Sequence, residues 1–254
     1  LMPADILGTH IVGEDGTGRR LLRFERGPVF KHLLLVDEIN RATPKTQAAL
    51  LEVMQERAVT AGGERLEVPQ PFFVMATQNP IEMEGTYPLP EAQLDRFFFK
   101  LRVGFPGKET LLEISRRTTG FREPEVAPAL TGDELAADQE LLTLVPVAEP
   151  VAEFAAGLVL ATHPKGDLAP ARVRRFVAYG ASPRGLQAMI RGARAKCLLA
   201  GRTAVSLEDV RGVARPALRH RLILNFEGEA ESVDADQLVQ EVLDVVPAPA
   251  QAAS

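Results

Sequence analysis

The chain predicts an α/β fold followed by an all-α region, and three observations carry that prediction. Two short apolar runs, at 33–36 and 72–76, each break off into polar residues, with a helical pattern between them. Such runs fit strands covered on both faces in a parallel sheet, joined by a right-handed crossover. Two other segments, near 10–25 and at 59–68, have glycine-bearing turns between strand-like runs and predict hairpins. Past Gly104-Phe105-Pro106-Gly107 strand signals mostly vanish and helical patterns take over. The expected organisation is an α/β part over 1–106, a helical part over 107–245 and a disordered tail over 246–254.

Composition bounds the function classes. The 254 residues are 46% hydrophobic and 25% charged, ordinary for a soluble globular protein. A formal net charge of −5 gives no global reason to expect nucleic acid or an anionic membrane as a partner. The single cysteine, Cys197, excludes an internal disulfide framework and a cysteine zinc cluster, and suits a reducing compartment such as the cytoplasm. No apolar stretch reaches the ~18 residues of a membrane helix. The opening Leu1-Met2-Pro3-Ala4-Asp5 reads as mid-domain sequence, so the chain is expected to be a fragment.

In order, His10-Ile11-Val12 and Arg20 to Glu25 flank a turn with Gly13, Gly16 and Gly18. His32 to Asn40 (HLLLVDEIN) is a strand running into two carboxylates, Asp37 and Glu38. Thr43 caps the next helix and Pro44 fits its first position, with Ala48, Leu50, Leu51 and Met54 toward the core. Gly62-Gly63 turns the second hairpin, and residues 72–76 form the second buried-type strand, ending in Thr77-Gln78-Asn79-Pro80. Glu91 to Phe99 reads as a short helix running into an apolar, strand-like stretch. Helices follow at about 108–118, 133–142, 150–162, 170–179, 183–200, 206–218 and 234–245. Basic residues crowd 161–221, and acids without bases fill 222–254.

The chemistry concentrates at strand ends, where open α/β sheets bind ligands. Adjacent carboxylates beside a dry core are costly unless a cation or hydrogen bonds hold them. Apolar residues followed by Asp-Glu form the Walker B pattern, in which Asp37 helps hold Mg²⁺ and Glu38 polarises an attacking water; taken alone, a strand ending in a solvated acidic turn accounts for it better. Asn79 is placed to orient that water or touch the γ-phosphate, although an Asn-Pro turn alone accounts for it equally. Arg184 sits at the second position of a helix that Ser182 caps and Pro183 opens. The positive end of a helix repels a cation, so an anion there would reverse the cost; an exposed arginine tolerating a small penalty is the alternative. Arg96 reads as exposed and gains meaning only as an arginine finger reaching a neighbouring subunit.

LLLVDEINRATPKTQAALLEVMQE, FFVMATQNPIEMEGTYPLPEAQLDRF and SPRG together resemble the MoxR family of AAA+ ATPases. MPADILGTH, GPVF and LRHRLILNFEGEAE extend the resemblance over nearly the whole chain. The resemblance implies a partial AAA+ P-loop-type sheet with flanking helices and hairpin insertions, then an all-α helical lid. It also implies ATP and Mg²⁺ as ligands. Asp37 and Glu38 take the Walker B roles, Asn79 is sensor 1, Arg96 is an arginine finger in trans and Arg184 is sensor 2. It further implies a homo-oligomeric, hexameric ring, chaperone-like maturation of proteins that include metalloproteins, and von Willebrand factor type A-domain partners. The hairpins would project toward a central pore or a client.

One departure is large. No G-x-x-x-x-G-K-[ST] string occurs, and both Gly16-Thr17-Gly18-Arg19 and Gly107-Lys108-Glu109 fail the pattern. The P-loop supplies phosphate-cradling N–H groups and a lysine. This stretch is therefore expected to bind ATP weakly and hydrolyse it negligibly by itself, with the activity in a longer protein. A helicase-like motor and a non-enzymatic pseudo-ATPase scaffold are the alternatives. The first is disfavoured by turns poor in aromatic and basic residues, the second by the intact Asp37, Glu38, Asn79, Arg96 and Arg184 set.

Overall fold

The computed structural model describes residues 2–14, 20–79, 85–120 and 126–249. Helix α1 (Pro3–Leu7) leads into a long antiparallel hairpin of β1 (Gly8–Glu14) and β2 (Arg20–Arg26). Its register runs from Gly8 opposite Arg26 to Glu14 opposite Arg20. The expected turn glycines Gly16 and Gly18 lie outside the described residues.

Strand β3 (Leu33–Val36) follows, then α2 (Pro44–Glu56). Thr43 caps α2 by accepting a bond from the Thr46 amide, and Pro44 occupies the first turn, where its missing N–H costs nothing. Strands β4 (Ala58–Ala61) and β5 (Glu64–Glu67) make the second hairpin. Gly62 and Gly63 turn it with φ of 60° and 85°, a pair of left-handed residues that glycine adopts without a Cβ clash. A Cβ on Gly62 would lie 3.0 Å from Nε2 of His10, so the tip of this hairpin rests on β1. Strand β6 (Phe73–Ala76) then pairs parallel to β3, from Leu33 opposite Phe73 to Val36 opposite Ala76.

Leu34 and Val36 share one apolar cluster with Leu50, Leu51 and Val53 of α2. Gln47, on the same helix, is also buried and donates to the carbonyls of Ile39, Ala42 and Tyr87. The expectation that β3 is covered on both faces needs correction. Leu33 and Leu35 are 61% and 60% exposed, and Phe73 and Met75 of β6 are 54% and 44% exposed. Alternate residues of a strand face opposite ways, and here only the α2 side carries a second layer.

Helix α3 (Glu91–Leu94) is shorter than the sequence suggests, and the apolar stretch after it pairs with no strand among the described residues. Its Leu101, Val103 and Phe105 are exposed. Helices α4 (Lys108–Thr118) and α5 (Gly132–Leu144) bury none of their residues. The remaining helices are α6 (Glu149–Ala161), α7 (Ala171–Phe176), α8 (Pro183–Leu199), α9 (Leu207–Leu218), α10 (Phe226–Ala230) and α11 (Ala235–Val245).

The segment expected as one helix over 170–179 splits. Val177–Tyr179 forms β7, antiparallel to β8 (Ile223–Leu224), so the helical region carries one short strand pair. Five of these helices, α6 through α9 and α11, enclose a second cluster built on Leu158, Val173, Met189, Leu218 and Leu238. Val246 packs there too, so the expected tail loses its first residue to the core; 250–254 lie outside the described residues. Phe99 joins this cluster from the α/β side. A Cβ on Gly192 would lie 2.6 Å from the Phe99 ring, so only glycine at that point of α8 seats the ring. No single helix among the described residues is long and apolar enough to cross a membrane.

Candidate functional site

The carboxyl ends of β3 and β6 are tied together by one residue, Thr77. Its amide donates to the Val36 carbonyl at 2.9 Å, and its carbonyl accepts from the Ile39 amide at 3.0 Å. Its hydroxyl donates to Oδ1 of Asp37 and accepts from the Glu38 amide at 2.8 Å. Glu38 sits in the left-handed region at φ 48°, ψ 53°. For a residue with a Cβ such a conformation costs about 1–3 kcal/mol and persists only when its surroundings over-determine it. The bonds to Thr77 on either side supply that constraint. The Glu38 carboxylate then meets Asn79 Nδ2 at 3.4 Å and Arg41 Nε at 3.0 Å. Asp37, Glu38 and Asn79 are therefore one cluster at the ends of the two parallel strands.

Asp37, Glu38 and Thr77 offer only oxygen donors, the set that suits a hard cation. No group of three or more His, Cys, Asp or Glu side chains able to hold a metal occurs among the described residues. The donors thus fit Mg²⁺ in its usual manner, with one or two carboxylates and the rest of its shell from water and phosphate. They do not fit an all-protein cage.

The two arginines lie elsewhere. Arg96 and Arg184 line one cavity of about 260 Å³ together with Arg57, Phe72 and Phe73, at the amino end of β6. Four strand residues separate that end from the Asp37 cluster, roughly 10–13 Å. Arg96 is not free in solvent as expected: its Nη1 donates to the Leu51 carbonyl of α2 at 3.0 Å. Arg184 follows the Ser182 cap, whose Oγ accepts from the Arg184 amide at 3.1 Å. An anion does stand at this helix start, and it belongs to the chain itself. Both Asp95 carboxylate oxygens accept from Ser182 Oγ at 2.8 Å, and Arg184 Nη1 reaches one of them at 3.3 Å.

Arg221, from the turn after α9, completes the arrangement. It is 5% exposed. Its Nε donates to Asp95 Oδ1 at 2.9 Å, and its Nη2 donates to the carbonyls of Asp95 and Phe97 at 3.0 and 2.7 Å. Nη1 reaches the carbonyls of Phe98, at 3.3 Å, and Ala217. His220 Nε2 also meets the Phe97 carbonyl, at 3.1 Å. Burial works to raise the Asp95 pKa, but the bond from Ser182 and the Arg221 charge outweigh it and hold the carboxyl below its ordinary value. Burial, aided by the Arg221 charge, pushes His220 down to about 4.

Thr77, Asp95 and Arg221 were not singled out by the sequence. Thr77 had a usable signal, as the first polar residue after the second strand. Asp95 and Arg221 had little, because their partners are 126 positions apart.

Two family models match this architecture in order. Residues 1–99 match the ATPase family associated with various cellular activities (AAA), and residues 169–242 match the AAA lid domain. The chain is 43% identical over 249 residues to Chaperone MoxR1 of Mycobacterium tuberculosis, covering 98% of itself and 65% of that protein. It is 38% identical to the uncharacterized protein YeaC of Bacillus subtilis, covering 99% of itself and 75% of the relative. It is 32% identical to Protein MoxR of Methylorubrum extorquens, covering 98% and 76%. A solved structure of a presumptive ATPase from Cytophaga hutchinsonii superposes with a TM-score of 0.90 at 37% identity, covering 97% of this chain and 74% of that one. The chain thus spans about two thirds to three quarters of these relatives. With an AAA α/β part, an AAA lid and MoxR proteins matched along nearly its whole length, the chain belongs to the MoxR family of AAA+ ATPases.

Proposed function

We propose that the protein containing this chain is an ATPase that couples hydrolysis to the remodelling or maturation of other proteins. The observation that carries the reading is the Thr77 junction, which holds Asp37, Glu38 and Asn79 as one polar cluster on two parallel strand ends. Asp37 would hold Mg²⁺ through water, and the ion, when bound, offsets the charge on the nucleotide phosphates. Glu38 polarises the attacking water and Asn79 orients it. The left-handed backbone of Glu38 and the contacts of its carboxylate with Asn79 and Arg41 hold that group before substrate arrives, which is the preorganisation electrostatic catalysis needs.

Arg96 acts in trans, on the site of a neighbouring subunit in a homo-oligomeric ring, with six subunits as the working number. Arg184 contacts nucleotide phosphate. That it shares a cavity with Arg96, away from its own Asp37 cluster, supports both arginines facing the same phosphate. The name of the Mycobacterium relative, Chaperone MoxR1, supports a chaperone-like role. Metalloprotein clients, von Willebrand factor type A-domain partners and a cytoplasmic setting extend the same reading. The 254 residues hold no P-loop string, so on their own they bind ATP weakly and hydrolyse it negligibly.

The test compares the whole protein with its Glu38→Gln variant. Loss of the general base lowers kcat by about 100-fold or more while ATP binding is kept. Equal turnover by the two proteins removes Glu38 from the role proposed for it.

A further inference from the structure

The Asp95 carboxylate is shared between the two halves of the molecule. On the α/β side it neighbours Arg96 in the turn that ends α3. On the helical side it receives Ser182 Oγ twice, Arg184 Nη1 and Arg221 Nε. Arg221 returns the grip, because its Nη atoms bind the Asp95, Phe97 and Phe98 carbonyls that flank and follow Arg96. An exposed carboxylate at a helix start needs no such set of partners. A guanidinium as buried as Arg221 does, because one left unpaired would be strongly destabilising. The result is reciprocal: a core residue fixes the start of the helix bearing Arg184, and a lid residue fixes the turn bearing Arg96.

We propose that Asp95 and Arg221 form a clamp that positions Arg96 and Arg184 as one unit, so that both meet a single phosphoryl group together. The inference rests on the ATPase reading above and adds two positioning residues to it. Neither touches nucleotide. Asp95 also holds Arg184 by a 3.3 Å bond that phosphate must outcompete, so the clamp keeps the arginine aimed while its anion is absent. A misplacement of about 1 Å in such a group costs on the order of 100-fold in rate.

The experiment uses the whole protein with Asp95→Asn, which keeps the shape and removes the charge, and with Arg102→Ala as a control. Arg102 bonds Asp234 and Asp236 across the same junction without touching either arginine. The expected result is a kcat at least about tenfold lower for Asp95→Asn with KM within about twofold, and near wild-type kinetics for Arg102→Ala. Unchanged kcat in Asp95→Asn overturns the clamp. Equal losses in both variants also overturn it, since general loosening of the junction then explains the effect. If Asp95→Asn does not fold, Ser182→Ala removes one arm of the clamp, and an unchanged kcat there overturns the proposal. A second readout does not depend on hydrolysis. The Arg221 Nε–H should be slow to exchange in NMR spectra of the wild type and fast in Asp95→Asn without nucleotide. If wild type turns over no ATP yet this protection is lost as expected, the ATPase reading has failed and the clamp has not. Identical exchange in the two proteins overturns the clamp itself.

Discussion

The cluster enclosed by α6 through α9 and α11 and the layer formed by β3 and β6 are covered to very different degrees. In the helical half, Leu158, Leu218 and Leu238 are fully buried, and five helices close around them. In the α/β half, one face of the β3–β6 pair is packed on α2 and the other leaves Leu33, Leu35, Phe73 and Met75 largely in water. The first region is a finished core. The second is a layer whose structure is complete on one side only, and it is the one that carries the Thr77 junction. Each part has its own buried cluster, and the two meet where Asp95, His220 and Arg221 join them.

The sharpest way to break this comparison is to cut a cavity in the finished core. Leu158→Ala should cost about 3–5 kcal/mol in urea-induced unfolding, because a fully buried leucine loses its transfer energy and leaves a void. A loss under 1 kcal/mol would mean the helical core relaxes freely and is not the stabilising half.

Acid should act next, at the joint. The His220 pKa is about 4 in the folded protein, against about 6.5 unfolded. Between those values the unfolded chain takes up a proton that the folded chain refuses. Stability therefore falls as pH drops from 6.5 to 4, by roughly 3 kcal/mol in all. His220→Gln should flatten that part of the pH profile, measured as denaturation midpoint against pH; an unchanged slope would assign it to other groups. The depressed Asp95 carboxyl adds its own loss only below its ordinary value of 3.8.

The smallest effect should come from the open face. Leu35→Thr places a β-branched residue in the strand and removes an apolar side chain that is 60% exposed, so it should change stability by less than about 0.5 kcal/mol. A loss above 2 kcal/mol would show that the face is covered in solution.

Much of this was legible in the sequence where local chemistry decides the outcome. HLLLVDEIN reads as a strand ending in acids, and Gly62-Gly63 as a two-residue hairpin turn, because each needs only its own residues. The cap at Ser182 was legible for the same reason, while for Arg184 the sequence left open both an anion and an exposed arginine. That the anion is Asp95 was not legible, since the two lie 89 positions apart. Val177–Tyr179 was hidden within a helical pattern because so short a strand exists only through its pairing with Ile223–Leu224. The exposure of Leu33 and Leu35 was hidden too. A continuous apolar run predicts cover on both faces, and nothing within Leu33–Val36 marks Leu33 and Leu35 as the exposed side.

The contact between Gly62 and His10 has a mechanical consequence. Two slender hairpins that touched nothing would each bend separately, and a load on one tip would be lost in its own flexing. With the tip of the second resting on β1, the pair acts as a strut and brace. A push on either would be shared by four strands and by α2 (Pro44–Glu56), which directly precedes β4. Even a methyl group at position 62 would crowd that brace against His10.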